Sequence, residues 1–206
     1  MILLVAILAG LVAGLFLARL QKRPWMVPPL RQPWLAVIAF IPQLLISYLP
    51  STRARVADTL AATGLIVSLA LLLVFCWINR RCSGMWLLAS GLFLNLLVMA
   101  ANGGFMPISP QTASRLVPPD SQSALAALGN GSRFGTKDVL LRASQTRLVW
   151  LSDHFLPPKR FPYQVAFSLG DMLIAAGAFW LMLTQGRALE APKKKPKHKI
   201  AKESEC

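Results

Sequence analysis

The chain has 206 residues, 55% of them hydrophobic and only 15% charged, with a mean hydropathy of +0.53. A soluble domain carries about 25% charged residues, so this balance excludes an ordinary water-soluble globule. A net charge of +14 would admit a nucleic-acid binder, but the lysines and arginines fall in the gaps between apolar runs and in the last twenty residues, where membrane proteins keep their flanking charge.

The first apolar run, residues 1–18, has no charge, and Ala6, Gly10, Gly14 and Ala18 recur in it every four residues. In lipid such a small-residue stripe lets two backbones approach closely. The stripe is therefore expected to be a helix-packing face, open to another membrane protein or to a second copy of the chain. No positive residue precedes the run and no small-residue cleavage site with a polar sequel follows it, so a retained span is expected rather than a removable signal peptide.

Four more runs approach the twenty or so residues that cross a hydrocarbon core: 34–49, 56–78, 85–101 and 165–183. Residues 34–49 are short and contain Pro42, which removes the amide that would bond the Ile38 carbonyl and should kink the helix. A re-entrant segment there would reduce the count to four and reverse everything downstream. With five spans, Arg19, Lys22, Arg23, Arg31, Arg80, Arg81 and the seven basic residues after span five share one side, against Arg53 and Arg55 in the short loop opposite. The basic side belongs in the cytoplasm, which puts the amino terminus and the long 102–164 connection outside.

The three cysteines, Cys76, Cys82 and Cys206, fall on the cytoplasmic side of this map, so no disulfide framework is expected. Trp25, Trp34, Trp77, Trp86 and Trp180 fall near the inner boundaries, as interfacial anchors do. In the long loop, Asn102-Gly-Gly-Phe-Met-Pro107 forces a turn. Asp120 can then cap a short helix over 121–128 that Gly129 ends, and 137–151 is apolar enough to pack on the membrane surface or on the loop itself. The tail, 185–206, is too lysine-rich to fold alone and is expected to be disordered, holding span five in place and attracting anionic lipid headgroups at about 1 kcal/mol per cation. It lacks the interleaved aromatics of a nucleic-acid binder.

Three patches, Asn102-Gly-Gly-Phe-Met-Pro107, Thr146-Arg-Leu-Val-Trp-Leu-Ser-Asp153 and Ser168-Leu-Gly-Asp-Met-Leu-Ile-Ala-Ala-Gly177, resemble a bacterial family of small multi-spanning membrane proteins of unassigned function. The resemblance covers most of the chain and rests on the order and spacing of the patches. Ser152 stands where a glycine is usual in that pattern. The resemblance implies an architecture and no activity.

The expected fold is an all-α integral membrane protein: helices one to four over 1–101, an extracytoplasmic loop region over 102–164, a fifth transmembrane helix over 165–184, and the basic tail. Asp171, about six residues or 9 Å into span five, is an ionisable group at membrane depth and so a candidate functional site. Ser168, Asn95, Asn102 and Gln43 are the candidates for one polar cluster with it, and Lys137 or Arg147 can supply a counter-charge. The structural reading is a hydrogen-bonded knot joining helices; the functional one is transport, proton handling or ligand binding. An intramembrane aspartyl dyad is disfavoured, because a second intramembrane acid is missing and Asp58 stands only at the edge of span three. His154 and His198 have no ligand-spaced company, so neither a metal nor a cofactor is expected. The chain reads as a structural or accessory membrane component rather than an enzyme, with a small transporter or ligand-binding protein as the alternative.

Overall fold

Long runs of leucine, alanine, valine and isoleucine offer the backbone no side-chain competitor for its own hydrogen bonds, and in the computed structural model they are helical. The structure describes residues 2–22, 24–47, 56–158, 160 and 164–184. In chain order come α1 (Ile2–Leu20), α2 (Pro33–Ser47), α3 (Asp58–Ile78), α4 (Met85–Ala101), β1 (Met106–Ile108), α5 (Pro110–Leu116), α6 (Gln122–Ala127), β2 (Arg133–Phe134), β3 (Asp138–Leu140) and α7 (Leu169–Thr184). Of the five long helices, α1 and α3, with 19 and 21 residues, are long and apolar enough to cross a membrane, whereas α2, α4 and α7 are apolar but shorter.

These five stand side by side in the order α1, α7, α4, α3, α2. Their directions follow from who meets whom. On α1, Gly10 meets Phe179 and Gly14 meets Met182, so α1 and α7 run parallel. On α4, Gly91 meets Gly170 and Gly84 meets Gly177, so α4 and α7 run antiparallel. Trp77 and Trp86, 6.2 Å apart edge to face, mark the hairpin between α3 and α4. Ser68 of α3 bonds α2 at Ala39 and Gln43, while Gly64 meets Ile46, so that pair is antiparallel too. At the α3–α4 hairpin end, the buried Asn79 side chain donates to the Arg31 and Phe75 carbonyls and accepts from the Arg31 amide at 2.7 Å, which fastens the α1–α2 link.

The described residues between 102 and 168 form a cap over the opposite end of the helices. Its sheet has the order β1-β3-β2: β1 and β3 are parallel with Met106 opposite Asp138, and β2 and β3 are antiparallel. On the free edge of β1, Ile108 bridges to Asp153, and Phe155 bridges to Phe167 just before α7. The loop region thus carries a mixed sheet, which corrects the all-α expectation; three-residue strands flanked by glycine and proline give too short an alternation to read from sequence. The short helix is Gln122–Ala127, reached through a 3-10 turn at Pro119–Ser121, so Asp120 does not cap it. Residues 137–151 divide into β3 and two 3-10 turns, at Ala143–Gln145 and Val149–Leu151. The fifth long helix starts at Leu169 instead of 165, because Phe167 is engaged in a strand bridge.

The end of the second apolar run at 48–49, Arg23, Arg53, Arg55, Cys206, His198 and the basic tail lie outside the described residues.

Candidate functional site

Ser168-Leu-Gly-Asp171 opens α7 as a capping box. The Asp171 amide donates to Ser168 Oγ at 3.1 Å and the Ser168 amide donates to Asp171 Oδ2 at 3.3 Å, satisfying two amides that a helix start leaves unpaired. Asp171 therefore sits in the first turn of α7, and the expectation of an acid six residues into a span is corrected: the apolar stretch 165–168 reads as helix by hydropathy but runs extended.

Two neighbouring elements close on this box. Asn95 of α4 donates to Asp171 Oδ1 at 2.8 Å and accepts from Ser168 Oγ at 3.0 Å. Lys137, just ahead of β3, places Nζ 2.9 Å from Asp171 Oδ2 and 3.3 Å from Asp153 Oδ2. Ser168 and the Asp153 side chain are wholly buried, and the Lys137 side chain is 30% exposed. Two aspartates from the cap thus join the cluster: Asp153, on the bridge beside β1, and Asp138, on the opposite side of β1.

The electrostatics follow from this crowding. Burial alone would lower the Lys137 pKa, but the surrounding Asp153, Asp171 and Asp138 carboxylates outweigh it and hold the ammonium charged, well above its ordinary value. Burial pushes Asp153 up to about 6, despite the opposing pull of Lys137. Asp138 is raised well above the usual carboxylate range, again first by burial, with Asp153 as a hydrogen-bonding neighbour.

Of the five polar residues expected to cluster, Asp171, Ser168 and Asn95 meet. Gln43 and Asn102 do not, and both assignments are corrected. Gln43 donates to Ser68 Oγ at 2.8 Å, and Ser68 donates to the Ala39 carbonyl, so this pair knits α2 to α3 beside Pro42. Asn102 donates to the Val98 and Arg147 carbonyls and accepts from the Arg147 amide, pinning the Thr146-Arg-Leu segment to the end of α4. Arg147 thus meets Asn102 through its backbone, and it is Lys137 that supplies the counter-charge. Asp58, at the start of α3, pairs with Arg133 of β2 at 3.3 Å. His154 Nδ1 lies 2.8 Å from the Ser152 carbonyl and its ring packs on Phe155.

The stripe of α1 is occupied within the chain. Gly10, Gly14 and Ala18 are buried and Ala6 half-buried; a Cβ on Gly14 would meet the Met182 carbonyl at 2.6 Å. A second small-residue seam, absent from the sequence reading, joins α4 and α7. A Cβ on Gly91 would lie 2.5 Å from the Gly170 carbonyl, and one on Gly177 would lie 2.6 Å from the Leu88 amide. The seven-residue spacing of Gly84 and Gly91, matched by Gly170 and Gly177, is the signal that could have revealed it.

Asp138 and Asp153 were also missed as members of the cluster, although Asp138 adjoins Lys137 in sequence; only the sheet register brings them together. Two open grooves of about 320 and 300 Å³ lie elsewhere, one apolar between α3 and α4 near Trp77 and Trp86, the other beneath α5 and α6 near Ser114 and Arg142. Neither reaches Asp171.

No curated protein and no solved structure matches the chain. A family model does match, from residue 28, after α1, to residue 183, near the end of α7, and on that coverage the chain belongs to DUF5317, a family of unknown function.

Proposed function

We propose that the protein is a five-span integral membrane component of the bacterial cytoplasmic membrane, structural or accessory in role, whose extracytoplasmic cap is clamped onto the helices through Asp171. The observation that carries this reading is the closed set of bonds at Asp171. Asn95 holds one carboxylate oxygen, Lys137 and the Ser168 amide hold the other, and together they tie α4, α7 and the cap. A carboxylate consumed in this way joins elements and leaves little capacity for a passing ligand.

Five spans are supported by the alternating directions of α2, α3, α4 and α7 and by the apolar surface they turn outward. Leu4, Leu8, Val12 and Phe16 of α1 and Val37, Ile41 and Leu44 of α2 are all exposed, apolar faces on the two outermost helices of the row that water would not tolerate and lipid does. Arg19, Lys22, Arg31, Arg80 and Arg81 gather at the end away from the cap, which supports a cytoplasmic location for that end and for the lysine tail against anionic headgroups.

A partner or second copy would meet a face other than the α1 stripe, which α7 already fills. No catalytic activity is proposed: a carboxyl dyad must reach substrate and water, and the Asp153 side chain has no exposure. The second reading, a transporter or ligand-binding protein, draws on the two Asp153 oxygens, neither of which accepts a hydrogen bond from an N–H or hydroxyl donor.

The test is purification of the tagged full-length protein, expressed at native level, in mild detergent, followed by mass measurement and identification of what travels with it. The accessory reading expects a stable membrane-protein partner or self-association. A lone monomer whose Asp171→Asn variant loses binding or flux of an ion or solute would overturn it in favour of the second reading.

A further inference from the structure

Among the described residues, three carboxyl groups, Asp138, Asp153 and Asp171, face the single cation of Lys137. Lys137 makes its close contact with Asp171 at 2.9 Å and reaches Asp153 only at 3.3 Å, without a hydrogen bond. Asp171 also has the Asn95 amide and the Ser168 amide. Asp153 has neither of these amides; its side chain is fully buried, and among the described residues its oxygens have the Lys137 contact at 3.3 Å and no well-aligned donor. Asp138 Oδ1 is likewise buried and without one.

Buried carboxylate oxygens that lack a donor are strongly disfavoured. Among the described residues, other charged groups do not relieve these two. Arg133 of β2 directs Nη1 to Asp58 and stacks its guanidinium over Phe105, and its buried Nη2 makes no hydrogen bond to either acid. His154 turns its ring nitrogen to the Ser152 carbonyl. From β1 come only Met106, Pro107 and Ile108, and from α4 the uncharged Asn95. One carboxyl can supply the donor that the other lacks.

We propose that Asp138 and Asp153 form a proton-binding site, in which Asp138 keeps a proton and donates it to Asp153, and a second proton is taken up on Asp153 as the surroundings of the cap acidify. The first proton converts two donor-less acceptors into one carboxyl–carboxylate hydrogen bond. The second leaves Lys137 and Asp171 as a neutral pair beneath a neutral cap edge. Burial raises both acids above the ordinary carboxylate range, Asp153 to about 6, in keeping with proton uptake at this pair. The inference goes beyond the structural reading and does not depend on it: a proton site at the cap edge serves an accessory subunit or a transporter equally.

The test is infrared difference spectroscopy of the purified full-length protein in lipid between pH 8 and pH 5, following the carbonyl stretch of protonated carboxyl groups and its shift in D₂O. The wild type should show one buried protonated carboxyl per chain at pH 7, rising toward two below about pH 6. Asp138→Asn should remove the first and Asp153→Asn the second, while Asp120→Asn, at an exposed position, should change neither. A wild type with no protonated carboxyl at pH 7 overturns the proposal, and so does a band that persists unaltered in both variants. Should either variant fail to fold, the wild-type band and its pH midpoint still decide.

Discussion

Lys137 Nζ lies 2.9 Å from Asp171 Oδ2, so the start of β3, the central strand of the cap sheet, and the first turn of α7, 34 residues apart in the chain, are held by one ion pair. The same carboxylate takes the Asn95 amide on its other oxygen, which adds α4. One side chain therefore fixes the cap, the helix it precedes and that helix's neighbour.

Removing the cation should be the most damaging single change at the site. Lys137→Met strands Asp171 and Asp153 without their shared counter-charge. A broken buried pair costs about 3–5 kcal/mol, and with Lys137 30% exposed the expected loss is roughly 2–4 kcal/mol. Adding Asp171→Asn to Lys137→Met should recover part of it. Thermal unfolding of the four proteins of that double-mutant cycle, in one detergent, checks both expectations.

The seam between α4 and α7 predicts a steric effect. Gly91→Ala brings a Cβ to 2.5 Å from the Gly170 carbonyl, a backbone atom that cannot rotate away. Overpacking of this kind costs about 1–3 kcal/mol. Leu97→Ala, on a more exposed part of the same helix, should cost less. Equal loss in the two variants would show that the helices do not meet through glycine.

Asn79 is buried at the end away from the cap and makes three hydrogen bonds, two of them with the Arg31 backbone. Asn79→Ala leaves the Arg31 amide without its acceptor and should cost about 1–3 kcal/mol. Proteolysis should quicken in the α1–α2 link and leave the cap unaffected, which limited digestion followed by mass spectrometry would reveal.

Acidification should strengthen the fold. The Asp153 pKa rises from an ordinary 3.8 to about 6 on folding, so the folded state holds the proton more tightly. Its stabilising contribution is complete below the unfolded value and is lost as pH rises through about 6. Between pH 7.5 and pH 5 the wild type should therefore gain roughly 1–2 kcal/mol, and Asp153→Asn should flatten that slope. Lys137, raised above its ordinary 10.5, acts in another window: its contribution is full below 10.5 and lost only in stronger alkali.

Hydropathy made the five long helices legible, because each is a run in which almost any rotation buries or greases an apolar side chain. The ends were less so. Residues 165–168 are as apolar as the helix they precede, yet Phe167 pairs with Phe155 as strand. The Ser168-to-Asp171 spacing was available as a capping signal and was outweighed by the apolar run around it. Asn95, Ser168 and Asp171 could be grouped from sequence because all three were expected near one end of adjacent spans. Gln43 was misplaced because helix order, α2 beside α3 and far from α7, is a tertiary fact that span positions do not encode. The aspartates of the cap were overlooked for a similar reason: three-residue strands leave no periodic trace, and their register alone brings Asp138 and Asp153 to Lys137.

On the proposed reading, five helices cross the bilayer with the cap on the outer side and the basic ends within. Substituted-cysteine labelling tests it most directly, with Thr136→Cys in the cap and Gln21→Cys after α1, both exposed positions, each introduced singly into a cysteine-free chain. A membrane-impermeant maleimide should label position 136 in intact cells and position 21 only after permeabilisation. Labelling of both from the same side, or of position 21 alone in intact cells, would contradict the account.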